Sequence, residues 1–147
     1  MAFKRIILVG EGRRKEHNST AAVKPGRLVE YHDSSGLKIR LHSNDGGALG
    51  HNTRFDIAIE NELAGKDIDT DWASGDNVQH NVLNSGDEAL AWLKDEENVA
   101  VGAPLTPDGA GGLRAAVLGT DEVVAYAMEA LDLTGASGDA RIIVEVA

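Results

Sequence analysis

The feature that most constrains the fold of this chain is a run of short apolar segments across residues 98–147, separated by turns rich in Gly, Pro and Asp. The segments are residues 99–105, 113–117, 124–132 and 140–146. Chains of short strands joined by such turns form barrels and sandwiches. We therefore predict a mainly β fold, either a β-sandwich or a jelly-roll-like barrel, with at most one or two short helices.

Strand patterns also occur upstream of this region. Residues 37–41 and 55–60 alternate apolar and polar side chains, as half-buried strands do. Residues 78–83 predict another short strand, and turns are predicted at 33–36 and 44–47. The middle of the chain is therefore expected to continue the β pattern.

Three stretches have a less regular pattern. Residues 64–75 are acidic and lack a period, so we predict a loop there. Residues 87–94 begin with acidic side chains, as a helix does, but Leu90 and Trp92 would share one face of a strand. Residues 121–131 show the same ambiguity. The sequence leaves helix and strand open at both places.

The composition excludes several classes of site. At 147 residues the chain can bury a core as one domain without a metal or disulfides. It has no Cys, which excludes a disulfide framework, a thiol nucleophile and a cysteine zinc site. No segment approaches the roughly 20 apolar residues that span a bilayer. The apolar run at residues 6–9 is too short to indicate secretion.

Charge is distributed unevenly along the chain. Residues 1–30 carry a net charge of +4 and the remaining residues −14, which together give the net −10. An acidic body disfavours nucleic acid and acidic membranes, whereas a basic segment suits an acidic partner. The alternative is a solvated segment whose charge balances the body. We predict an extended N-terminal arm over residues 1–26 and a single β-rich domain over residues 27–147. The candidate binding residues of the arm region are Lys4, Arg5, Arg13, Arg14, Lys15, Lys24 and Arg27.

No motif for catalysis or for a cofactor is complete. Gly10 and Gly12 follow an apolar run, but Lys15 stands where a dinucleotide-binding turn needs its third Gly. No serine lies in a nucleophile elbow. The histidines are scattered and show no metal-ligand spacing. They are His17, His32, His42, His51 and His80. We predict no catalytic residue, no cofactor and no metal site.

One acidic segment resembles the beginning of a calcium-binding loop. Asp67, Asp69 and Asp71 alternate, but Trp72 and Val78 occupy the positions of the required Gly and Glu. A solvated loop is the simpler interpretation. A calcium-dependent ligand- or carbohydrate-binding β-sandwich that uses residues 67–76 remains the alternative function.

The C-terminal third resembles the capsid decoration (cement) proteins of tailed bacteriophages. The resemblance depends on four features in order: residues 99–105, the Asp108-Gly109 turn before Leu113-Arg114, residues 125–130 and residues 138–146. It covers about a third of the chain well, and residues 22–31 match the opening strand of the family more loosely.

The resemblance implies a small β-sandwich or jelly-roll-like barrel on the outside of a phage head. Such proteins bridge neighbouring major capsid subunits, as trimers at three-fold positions and sometimes as dimers at two-fold positions. The family has no catalytic residues to carry over.

We therefore expect a structural, non-enzymatic virion protein, made in the host cytoplasm and located on the capsid surface. The expected partners are the major capsid protein and further copies of the chain, with a homotrimer favoured over a homodimer. We expect no nucleic-acid or membrane partner. Trp72, Trp92 and Tyr126 are candidate interface anchors.

Overall fold

The computed structural model describes residues 3–32, 37–46 and 55–147, and these residues form strands and turns without an α-helix. A single 3-10 turn spans Glu62–Ala64. The strands are β1 (Ile7–Val9), β2 (Arg13–Asn18), β3 (Val29–His32), β4 (Lys38–Leu41), β5 (Phe55–Ala58), β6 (Asn77–Leu83), β7 (Glu88–Leu93), β8 (Asn98–Val99), β9 (Pro104–Pro107), β10 (Leu113–Ala115), β11 (Ala125–Ala127), β12 (Leu131–Asp132) and β13 (Ala140–Val146). The predicted mainly β fold is confirmed. No helix within these ranges is long and apolar enough to cross a membrane.

Five strands close into a barrel in the order β7–β10–β9–β11–β13, and β13 pairs back with β7. The β13–β7 pair is the longest, running from Ala140 opposite Leu93 to Glu145 opposite Glu88. The β10–β7 contact is parallel, and the other barrel pairs are antiparallel. Closure gives every barrel strand two neighbours, which removes free edges. β1 joins β7 beside β10, outside the closed set.

Alternation explains which strands form the barrel. In β13, Ile142, Val144 and Val146 are buried, while the residues between them are partly exposed. In β7, Ala89, Ala91 and Leu93 have no exposed surface, and they fill the narrow barrel with a mixture of small and large side chains. The segments left open by the sequence are therefore strands: residues 87–94 contain β7, and residues 121–131 contain β11.

A second, smaller core lies in an N-terminal lobe, formed by the sheet β2–β6–β5 and the hairpin β3–β4. Its buried residues are Val23, Val29, Ile39, Ala58, Trp72 and Val78. The indole Nε1 of Trp72 donates a hydrogen bond to the carbonyl of Ile59 at 3.0 Å. Trp72, a candidate interface anchor, is thus a core residue of this lobe.

The barrel and the N-terminal lobe meet at the outer face of β7. Trp92 projects from β7, and its Nε1 donates to the carbonyl of Pro25 at 3.0 Å. Gly26 follows with a φ of +95°, and a Cβ there would lie 2.9 Å from the carbonyl oxygen of Leu90. Only glycine tolerates both this backbone conformation and this close approach.

Much of the N-terminal segment is paired with other strands, unlike the extended arm that the sequence predicts. β1 pairs with β7, and β2 pairs with β6 along its whole length. Residues 7–9 and 13–18 of the expected extended arm are therefore parts of sheets and do not project from the body. The division of the chain after residue 26 stays a prediction. The turn predicted at residues 33–36 and the end of the turn at 44–47 lie outside the described residues.

Candidate functional site

The first candidate surface is the segment that carries the cations nearest the N-terminus, which we call the N-terminal cation surface. Its members are Lys4, Arg5, Arg13, Arg14 and Lys15. Arg14 lines a cleft together with Lys4 and Arg5, whereas Arg13 and Lys15 belong to the other face of β2. Arg14 donates to the Oε1 of Gln79, and Lys15 Nζ donates to the Tyr31 hydroxyl at 2.9 Å. None of the five forms an ion pair with the described residues. By contrast, six cations further along the chain do: Lys24, Arg27, Arg40, Lys66, Arg114 and Arg141.

The two remaining cations of the predicted set lie elsewhere, at the joint around Trp92. The guanidinium carbons of Arg27 and Arg141 are 4.9 Å and 4.6 Å from the centroid of the Trp92 ring. Arg27 Nη1 also contacts Asp139 Oδ2 at 2.8 Å. Lys24 Nζ is 5.7 Å from the same ring centroid. Lys24, Arg27 and Trp92 therefore join the barrel to the segment around Pro25, and the structure does not bring all seven predicted cations to one surface.

The second candidate surface is an exposed apolar area on the barrel side opposite β7, which we call the Tyr126 face. Tyr126 is 42% exposed in the centre of β11, where it lies opposite Pro104 and Glu145. Hydrogen bonds from Ala116 to Pro104 and from Gly102 to Ala127 bring two loops beside it. The exposed members are Val101, Val117, Leu118, Tyr126 and Met128. Several large apolar side chains exposed on neighbouring segments are typical of an interaction site.

A buried polar chain in the N-terminal lobe was missed by sequence reasoning. His80 Nδ1 lies 2.7 Å from Asp56 Oδ1, and His80 Nε2 lies 2.8 Å from His17 Nδ1. An ionised carboxylate can only accept hydrogen bonds, so His80 Nδ1–H is the donor to Asp56. His80 Nε2 is then the acceptor, and His17 Nδ1–H donates to it. Burial lowers the pKa of His17, and the neighbouring His80 and Lys15 lower it further.

The acidic loop does not form a calcium site in this structure. Asp67 Oδ1 accepts bonds from Asp69 N–H and the Thr70 hydroxyl. Asp69 pairs with Arg141, and Asp71 faces Lys24 at 3.9 Å. The three carboxylates thus contact different partners within the chain. Among the described residues, no group of three or more His, Asp or Glu side chains is placed to hold a metal ion.

Comparison with known proteins gives one informative likeness. No protein-family model matches the chain, and no curated protein sequence is significantly similar to it. Its fold is similar to that of a phage protein. The crystal structure of the head fiber gp8.5 N base in bacteriophage phi29 matches with a TM-score of 0.60 at 14% identity. The match covers 92% of this chain and 93% of that chain, so it includes both the barrel and the N-terminal lobe.

Proposed function

We propose that this chain is a non-enzymatic structural protein of a bacteriophage virion, which binds the outside of the head and fastens neighbouring major capsid subunits together. The observation that carries the proposal is the fold shared with the phi29 head fiber base over nearly the full length of both chains. The ordered C-terminal segments that resemble capsid decoration proteins support the same assignment.

The charge distribution supports binding to an acidic protein surface. The N-terminal cation surface has no carboxylate partners among the described residues, although the chain as a whole carries a net charge of −10. Complementary charge speeds association and fixes orientation. We propose that this surface contacts the major capsid protein.

Reversing two of these charges is expected to weaken binding to expanded heads of the phage that encodes the chain. For Arg5→Glu/Arg13→Glu we expect a loss of about tenfold in affinity at low salt, and a weaker dependence of binding on salt. Cosedimentation of the purified protein with heads lacking it measures this. Deleting residues 1–20 is a poorer test, because it removes β1 and β2.

A matched control keeps the total charge change the same. Lys38 and Lys94 also form no ion pair with the described part of the chain, and Lys38→Glu/Lys94→Glu changes the net charge equally. We expect this variant to bind close to the wild-type level. Equal binding by the two variants would show that the N-terminal cation surface makes no specific contact.

We propose that the Tyr126 face joins copies of the chain, as a homotrimer in preference to a homodimer. The barrel has no free strand edge here, so the contact must use side chains, and aromatic residues with Met are typical of interface centres. An oligomer would repeat the capsid contacts and gain affinity through effective concentration.

The Tyr126→Glu/Leu118→Glu variant is expected to abolish self-association. Light scattering after size exclusion should give about three times the 15.5 kDa chain mass for the wild type and a single chain mass for the variant. Leu37→Glu changes an exposed apolar side chain outside this face and should leave the mass unchanged. A wild-type monomer at capsid-binding concentrations contradicts this proposal.

A further inference from the structure

An open cleft of about 750 Å³ lies beside β1. One wall is the N-terminal segment between residues 4 and 14, and the other is residues 59–63, which follow β5. Asn81 of β6 also lines it. The cleft is separate from the Tyr126 face, which lies on β11 and the two loops beside it.

The backbone of β1 offers an open edge along this cleft. β1 pairs with β7 alone among the described strands, with Ile7 opposite Ala89. The bond from Leu90 N–H to the carbonyl of Ile6 identifies Ile7–Ala89 as a non-hydrogen-bonded pair. The N–H and C=O of Ile7 therefore point away from β7, towards the edge where a further strand would add.

A side chain from the opposite wall bonds to the backbone next to this edge. The N–H of Ile6 donates to Glu60 Oε2 at 3.0 Å, and Glu60 belongs to the opposite wall. The carbonyl of Ile6 accepts from Leu90, so Ile6 is not part of the open edge. Glu60 therefore bonds the two walls together before β1 begins, and the edge at Ile7 stays open.

Asn81, which lines the cleft, has a side-chain oxygen that no donor reaches in the described part of the chain. Its Nδ2 donates to the carbonyl of Glu11 at 2.7 Å. Its Oδ1 has no hydrogen-bond partner in the described part of the chain, although the residue is only 6% exposed. Buried amide oxygens are normally paired, so this atom is an unsatisfied acceptor in the wall of the cleft.

The lining suits a polypeptide better than a nucleic acid. Cations and carboxylates are equal in number, and no aromatic ring is available for stacking a base. Leu63 is fully exposed at the rim, and Ile7 and Ile59 supply apolar contact surface. Lys4 and Arg5 have no ion-pair partner in the described chain, so an acidic residue of the ligand fits beside them. Glu11 and Glu62 likewise form no ion pair there, so a basic residue fits at the other positions.

We propose that this cleft binds an extended segment of a partner protein, which adds as a strand to the open edge of β1. The segment places an apolar side chain against Leu63 and Ile7 and an acidic one beside Lys4 and Arg5. Main-chain hydrogen bonds supply affinity in this mode of recognition, and alternate side chains supply specificity. The proposal does not depend on the virion role, because the open edge of β1 and the lining of the cleft alone define the segment that fits.

Selection from a random twelve-residue peptide library against the full chain tests this inference. Peptides that bind with a Kd of about micromolar strength are expected to share alternating apolar residues and an acid. Ile7→Pro removes the donor at the open edge while leaving the bonds to β7, since proline is tolerated on edge strands. We expect Ile7→Pro and Leu63→Asp each to weaken binding by about tenfold or more. Ile7→Val keeps the N–H and should bind as the wild type does.

Three results of these binding experiments would contradict the proposal. Failure to enrich any peptide that binds the wild type, or peptides that bind Leu63→Asp unchanged, would overturn it. A glycan array gives a further test. If the wild type binds an oligosaccharide and the same variants lose that binding, the cleft is a sugar site and the proposal is wrong. Leu63 is fully exposed, so Leu63→Asp should fold normally and keep the test valid if Ile7→Pro fails to fold. Head binding by these variants is a separate measurement that tests the virion role.

Discussion

The Trp92→Ala variant is expected to lose about 3 kcal/mol of unfolding free energy, the largest single effect of any exposed or half-buried residue discussed above. The guanidinium carbons of Arg27 and Arg141 lie 4.9 Å and 4.6 Å from the centroid of the indole, and its N–H bonds to Pro25. Removing the indole leaves a gap beside β7 and takes the aromatic ring away from Lys24, Arg27 and Arg141. Both the lost apolar contact and the lost hydrogen bond contribute.

Urea denaturation measures this loss, with Phe3→Ala as the matched control. Both variants remove an aromatic ring, but Phe3 is 44% exposed and lies outside the Tyr126 face. We expect the control to change the unfolding free energy by less than about 0.5 kcal/mol. If the two variants lose equal stability, the contacts of Trp92 do not join the barrel to the N-terminal lobe.

The Asp56→Ala variant is also expected to lose about 3 kcal/mol, because it leaves a fully buried histidine without its acceptor. His80 Nδ1–H then has no carboxylate to accept its hydrogen bond, and the chain to His17 loses its anionic end. The double variant Asp56→Ala/His80→Leu should recover part of the loss, since it removes the unpaired donor as well.

An exposed ion pair gives the control for this prediction. Asp69 contacts Arg141 Nη1 at 2.8 Å, but its side chain is 77% exposed. Asp69→Ala should cost at most about 1 kcal/mol, because water screens such pairs. Thermal and urea unfolding of the three variants, measured side by side, gives the loss of unfolding free energy for each. Equal losses for Asp56→Ala and Asp69→Ala would mean that burial of the Asp56 pair adds nothing.

The sequence was sufficient to predict the strands whose side chains alternate strictly. β13 and β4 fall within predicted segments. In β13 buried residues alternate with partly exposed ones, and in β4 Ile39 is buried between partly exposed neighbours. β7 stayed ambiguous because Ala89 and Ala91 suit a helix as well as a strand. Only closure of the barrel explains why small residues are needed there.

Contacts that depend on strand pairing could not be predicted. His17 and His80 meet because β2 pairs with β6 in a register that places Lys15 opposite His80. Nothing in the spacing of the histidines reveals that register. Similarly, the charge pattern indicated a basic N-terminal segment, but it could not show that Arg27 is committed to Asp139 and Trp92.

The central claim is that this protein is a structural part of a phage head. Mass spectrometry of purified, tail-free heads of the phage that encodes it tests the claim most directly. We expect the chain in those heads at a fixed ratio to the major capsid protein. Its presence in infected cells but absence from purified heads would contradict the account.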